Sequence, residues 1–317
     1  MNIKKIFADV LIITIAFALF ILWYENKFEK NTVPASSVKN YVVYLITMDK
    51  TSQYWYTLDR GASDMADMLG LTYKWDAPQE RNVDEQIVKI NNAVSAGANA
   101  LLIAASDPVR VSEAIANAKA AGVKIIYVDA PANEEGIITL ATNNYGAGAT
   151  AATNMINELE AIGSRSGSIG IVGVTKENIT TSDREKGFRD VMNKDGRYKI
   201  LDTQYSAGNK ALGKEIALSF IHNNPDLVGL FGTNEDTTEG VGNAIKESNK
   251  NIVGIGFDIN NTIQQMIRNG YLKAVMVQNP YTMGYLGMAQ AYAALNGFDT
   301  GPHYLDTGVS VKTQFTH

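Results

Sequence analysis

The chain has 317 residues, 45% hydrophobic and 19% charged, with 33 acidic against 28 basic side chains, a formal net charge of −5 and no cysteine. That apolar share supports real cores, and the length suits about two domains, so disorder throughout is excluded. The missing cysteine excludes disulfides, cysteine-ligated metal centres, a cysteine nucleophile and a lipid tether on cysteine, and the net charge gives no overall attraction to nucleic acid.

The first thirty residues carry Lys4 and Lys5 ahead of an almost unbroken apolar run over 10–24, with Trp23 and Tyr24 closing it. With residues 6–9 included, the run has the length a bilayer core demands, and the aromatic pair suits the far interface. A cleaved signal peptide and a retained anchor compete as readings. The only passable small-residue cleavage site is Val33-Pro34-Ala35, far beyond the apolar core, which favours the anchor. Basic residues before the run then place the body outside the cell membrane, as a single-pass protein. Residues 31–40 are polar and read as a linker.

From Tyr41 onward, apolar β-branched runs recur at 41–47, 100–104, 123–129, 167–173, 227–232, 251–258 and 272–278. Between them lie segments of helical period such as 82–96, 108–121 and 145–162. Gly97 and Gly122 stand where helix C-caps precede strands. Recurring strand–helix–strand units with continuous rather than alternating strands predict an α/β protein of two doubly wound parallel-sheet lobes.

Polar residues close several of these strands: Asp129, Asn234 just past its strand, Asp258 and Gln278. That edge of an open α/β sheet is where ligands bind. Helix N-capping is the alternative use for each Asp or Asn taken alone. GAGATA at 146–151 fits a dinucleotide pattern but lacks the acid such a site needs, so a glycine-eased helix start is the better reading. No phosphate-binding P-loop pattern occurs. Three histidines, at 222, 303 and 317, leave little for a metal site or a Ser-His-Asp triad.

The stretches QYWYTLDRGA (53–62), SAGANALLIA (95–104), AAGVKIIYVDAP (120–131), SDREKGF (182–188), LFGTNEDTTEG (230–240), IVGIGFD (252–258) and VQNPYTMG (277–284) resemble, in collinear order, the bacterial periplasmic sugar-binding proteins of the ribose/galactose type. These are kin to the ligand-binding half of lactose-type repressors. The resemblance implies two lobes joined by a three-strand hinge, one from 41–143 and 279–306, the other from 144–278 and 307–317, closing on a monosaccharide. It assigns Tyr54 and Trp55 to the apolar face of a pyranose. Asp129, Arg184, Asn234, Asp258 and Gln278 would hold its oxygens. Ala130 stands where the ribose-type pattern has a second arginine. Ala104 and Ala105 replace a polar residue and proline, and Ser52 and Gln53 replace Asn-Pro. The pocket is therefore not a copy of the ribose site; a pentose such as xylose or ribose is favoured.

The expected mechanism is hinge closure read by a membrane partner. Without a cysteine for a lipid, a helix tether suits a membrane sensor histidine kinase; the permease of an ABC importer is the alternative partner. A glycoside hydrolase using Asp129 and Asp258 is a remote third reading. No cofactor, metal or nucleic-acid partner is expected. A repressor is excluded, because an apolar segment stands where a DNA-reading helix would be.

Overall fold

A computed structural model describes Phe20 and residues 40–316. The membrane segment expected over 1–30 and the linker over 31–40 lie outside the described residues, apart from Phe20 and Asn40. Among the described residues no helix is long and apolar enough to cross a membrane.

In chain order the first lobe holds β1 (Val42–Ile46), α1 (Gln53–Leu69), β2 (Thr72–Asp76), α2 (Val83–Ser95), β3 (Ala100–Ile103), α3 (Ser112–Ala120), β4 (Lys124–Val128) and β5 (Ile138–Ala141). The second lobe follows with α4 (Asn144–Ala161), β6 (Gly167–Gly173), α5 (Ile179–Asp195), β7 (Tyr198–Ile200), β8 (Gln204–Tyr205), α6 (Lys210–Asn223), β9 (Leu227–Gly232), α7 (Glu235–Ser248), β10 (Val253–Phe257), α8 (Asn261–Arg268) and β11 (Ala274–Gln278). The chain then returns to the first lobe for α9 (Pro280–Leu295) and β12 (Tyr304–Asp306) and ends in the second with β13 (Val309–Thr313).

Two sheets result, ordered β12-β5-β4-β3-β1-β2 and β13-β11-β10-β9-β6-β7, with β8 beside β6. The chain crosses between them at 142–143, at 279 and at 307–308. Pairing is parallel except that β13 runs antiparallel to β11. The seven apolar runs form β1, β3, β4, β6, β9, β10 and β11. Strands β2, β7, β8 and β12 are edge or off-path pieces, short or polar, and the run periodicity alone does not mark them.

Both faces of each sheet are covered, which explains why the strands read as continuous apolar runs. In β4, Ile126 and Val128 face one core cluster while Ile125 and Tyr127 face another. Six of the nine described helices begin at an asparagine whose side chain accepts from the backbone of the first turn: Asn82, Asn143, Asn178, Asn209, Asn234 and Asn260. An amide oxygen there satisfies one of the orphan N–H groups that every helix start carries. Helix α1 is an exception, since Ser52 makes no side-chain cap bond.

Each lobe also has a pair of helices in which a glycine lies directly against the backbone of its neighbour. A methyl group added at Gly284 of α9 would stand 2.0 Å from the Leu58 carbonyl oxygen of α1, and one at Gly148 of α4 would stand 2.0 Å from the Arg184 carbonyl oxygen of α5. The glycines of the GAGATA stretch thus have two uses. Gly146 lies against the capping side chain of Asn143, and Gly148 lets α5 approach. Backbone-to-backbone contact of this kind leaves no room to relax. Gly284→Ala is expected to destabilise the protein by about 2 kcal/mol or more, as overpacking of a closed contact does, read from the urea unfolding midpoint. An unchanged midpoint would contradict this packing.

Candidate functional site

The carboxyl ends of β1, β4, β6, β9, β10 and β11 face one another across the crevice between the lobes. The crevice encloses about 410 Å³ of empty space, part of it open to solvent. All seven residues singled out in the sequence line it: Tyr54, Trp55 and Asp129 from the first lobe, Arg184, Asn234 and Asp258 from the second, and Gln278 at the mouth of a crossover.

Asp129 and Asp258 follow β4 and β10 in equivalent positions, and both have left-handed backbone, φ 69° and 67°. Neither caps a helix; α8 is capped by Asn260 instead. Each is pinned through its own N–H, to the carbonyl of Leu140 or of Met276, at 2.8 Å in both cases. Left-handed backbone at a non-glycine residue costs of order 1 kcal/mol, and such strain gathers at functional sites. Here it turns a carboxylate into the crevice from the end of a strand.

Around Asp129, the Tyr54 hydroxyl donates to Oδ1 at 2.8 Å, and Tyr54 meets Trp55 edge-on at 4.8 Å. Trp55 Nε1 donates to Asp49 Oδ2 at 3.2 Å. Both rings belong to the first lobe's core and also line the crevice, so packing and a ligand-facing surface coexist in one pair. Around Asp258, Gln278 Nε2 donates to Oδ1 at 2.9 Å, while Gln278 Oε1 is buried without a partner.

Arg184 lies in the second turn of α5, almost wholly buried, rather than on the surface of a helix start. Its Nε donates to Asn144 Oδ1 at 2.8 Å and its Nη1 to the Thr233 carbonyl at 2.9 Å, and the guanidinium lies 4.2 Å from the Phe257 ring centre. The glycine contact between α4 and α5 fixes it there. Asn234 behaves differently from the other six. Its Oδ1 accepts from Thr237 N at 3.1 Å, and Thr237 Oγ1 accepts from Asn234 N at 3.0 Å, a full capping box. Capping occupies its carbonyl, and its amide nitrogen stands 3.5 Å from Asp236 Oδ2.

Several lining residues escaped the sequence reading. Asp49 lies three residues beyond the end of β1, so a search for polar residues shortly after each strand could have found it. Arg81, in the loop after β2, lies 3.8 Å from Asp49 Oδ2, and its Nη1 has no partner. Asn178, Thr180 and Thr181 open α5, where the Asn178 side chain is both cap and wall. Glu235 and Asp236 are the first two residues of α7. Glu235, in the second lobe, reaches across the crevice. Its two oxygens accept from the backbone N–H groups of Gln53 and Tyr54 at 3.2 and 3.1 Å. An anion there compensates the uncapped start of α1, where the helix dipole is positive.

Burial raises the carboxyls of Asp129 and Asp258 above the usual range, with Arg184 opposing the shift in each. Glu235 is pushed up to about 7 by burial and by the charge of Asp258, and Asp236 to about 6 by burial, with Lys210 opposing. For Glu235 the folded state therefore holds a proton that the unfolded chain loses near 4.5, so this contribution to stability is present at low pH and is lost as pH rises through about 7. Glu235→Gln, which keeps the neutral form, is expected to gain melting temperature relative to the wild type as pH rises over that window. A difference independent of pH would contradict the burial of a titrating Glu235.

The periplasmic binding protein domain matches residues 43–299 of this chain. The ribose import binding protein of Bacillus subtilis is 25% identical over 261 residues, covering 82% of this chain and 83% of its own length. Among solved structures, a carbohydrate transporter solute-binding protein of Agrobacterium radiobacter in complex with D-arabinose is 28% identical, with a TM-score of 0.84 over 88% of this chain and 96% of the other. An ABC transporter solute-binding protein of Agrobacterium vitis with bound D-fucose is likewise 28% identical, with a TM-score of 0.82 over 86% and 95%. With the match spanning both lobes, and with a polar crevice between their strand ends, the chain belongs to the periplasmic binding protein family and is a binding protein rather than an enzyme.

Proposed function

We propose that the protein is an extracytoplasmic monosaccharide-binding protein that closes on its sugar and delivers it to an ABC importer. The observation that carries the reading is the lining of the crevice: buried carboxylates and a buried guanidinium from both lobes, beside an aromatic pair. Sugar hydroxyls both donate and accept, so they can satisfy Asp129, Asp258 and the orphan Gln278 Oε1 while Arg184 donates in return. Tyr54 and Trp55 desolvate the C–H face of a pyranose at low entropy cost. Ligand that touches both lobes favours the closed form, so closure reports occupancy. The importer assignment draws support from relatives whose names describe ribose import and carbohydrate transport.

Two finer features complete the proposal. The ligand is a pentose or a hexose pyranose, and the apolar run over 10–24 tethers the protein to the cell membrane. In a chain without cysteine that tether takes the place of a lipid. It also favours a second use of the same closure, signalling to a membrane sensor kinase. Affinity capture of the full chain with sugar present distinguishes the two. Recovery of permease subunits supports delivery to an importer, and recovery of a kinase alone overturns it.

Calorimetry over a panel of pentoses and hexoses tests the binding itself, and silence across the panel would defeat the sugar reading. Arg184→Ala and Asp258→Ala are each expected to weaken binding by at least about 2 kcal/mol, or roughly thirtyfold, as loss of a charge-assisted hydrogen bond in a dry site does. Near-native affinity in both variants would mean that the ligand sits elsewhere.

A further inference from the structure

Charge is not balanced inside the crevice. Five carboxylates line it, those of Asp49, Asp129, Glu235, Asp236 and Asp258, against the guanidinium groups of Arg81 and Arg184. Two of the acids have cations within ion-pair reach: Arg81 stands 3.8 Å from Asp49, and Lys210 stands 3.7 Å from Asp236 and 2.9 Å from Glu239. Asp129, Asp258 and Glu235 form no ion pair within 4 Å among the described residues; Arg184 is the cation that acts most strongly on Asp129 and Asp258, Arg81 acts more weakly on Asp129, and Lys210 acts on Glu235 from beyond ion-pair reach. Arg184 spends its Nε and Nη1 on the neutral oxygens of Asn144 and Thr233.

The hydrogen-bond inventory leans the same way. Protein donors near these three acids are already engaged: the Tyr54 hydroxyl on Asp129, Gln278 Nε2 on Asp258, and the α1 backbone and Asn260 Nδ2 on Glu235. What remains is acceptor capacity. Gln278 Oε1 is a further acceptor, in a side chain only 4% exposed, buried beside Asp258 with no partner at all. Such a site asks for donors and for positive charge. Ala130 adds to the imbalance, since an arginine at that position, directly after Asp129, would supply a balancing cation.

Resting on the sugar-binding reading above, the geometry points to an amino sugar as the ligand class: a pyranose in which one hydroxyl is replaced by an ammonium group, held among Asp129, Asp258 and Glu235. An ammonium group carries three donors and no acceptor, which complements this acceptor-rich end of the crevice. Buried carboxylates are costly unless paired, so the cation repays more here than at a surface. The remaining hydroxyls keep the partners that a neutral sugar would use, Arg184 among them, and the aromatic pair serves either ring.

Calorimetry near pH 7 on the full chain tests this with matched pairs, each amine against the neutral parent of the same ring. The pairs are glucosamine with glucose, galactosamine with galactose, and 4-amino-4-deoxy-L-arabinose with L-arabinose. At least one amine is expected to bind at least about tenfold more tightly than its parent, the gain of a hydrogen bond to a charged, buried partner. Asp258→Asn should bring that ratio close to one; should this variant fail to fold, Glu235→Gln carries the same test. Parents that bind as well as or better than their amines overturn the amino-sugar assignment and leave the sugar reading standing. An amine preference that survives both substitutions also overturns it. Absence of binding for every amine and every parent defeats the sugar reading, and the inference falls with it.

Discussion

Three carboxylates, those of Asp129, Asp258 and Glu235, are buried between two lobes, and the rest of the structure is organised around that burial. Taking a carboxylate out of water is expensive unless hydrogen bonds or charge compensate it. The first lobe compensates Asp129 with the Tyr54 hydroxyl, the second compensates Asp258 with Gln278, and Glu235 draws on Asn260 Nδ2 of its own lobe and on the α1 backbone of the other. Their raised protonation tendencies show that this compensation is incomplete. A site left short of donors in this way gains most from a ligand that supplies them.

The fold delivers these groups by repetition. Both lobes have the same strand order, β2-β1 and β7-β6 at one side and β4-β5 and β10-β11 at the other, so Asp129 and Asp258 occupy equivalent places and share the same left-handed backbone. The glycine contacts repeat as well, α1 with α9 in one lobe and α5 with α4 in the other. In the second lobe that contact seats Arg184, so a packing requirement and a site residue meet in one turn of α5. The bridge from Glu235 to the uncapped start of α1 joins the lobes directly. It ties the protonation of one side chain to the contact between them.

Much of this was legible in the sequence. Apolar runs marked the central strands because both of their faces are buried, and the polar residues closing them marked Asp129, Asp258 and Gln278. The resemblance to sugar-binding proteins supplied Tyr54, Trp55 and Arg184, which no periodicity reveals. Edge strands such as β2, with the sequence TYKWD, and β12, YLD, were illegible because one side is half exposed and the apolar signal is lost. Asn234 shows the ambiguity of a polar residue after a strand, since its carbonyl caps α7 while the residue still lines the crevice. Glu235 was illegible for another reason. Its partner is a pair of backbone N–H groups on the opposite lobe, and backbone carries no sequence signature.

A crystal structure of the chain with the sugar that calorimetry identifies tests the central claim most directly. The account predicts one ring between the lobes, with its face on Tyr54 and Trp55, a donor within hydrogen-bond distance of Gln278 Oε1, and hydroxyl or ammonium groups on Asp129 and Asp258. A ligand outside this crevice, or one bound in it that leaves Asp129, Asp258 and Gln278 Oε1 without a partner, would contradict it.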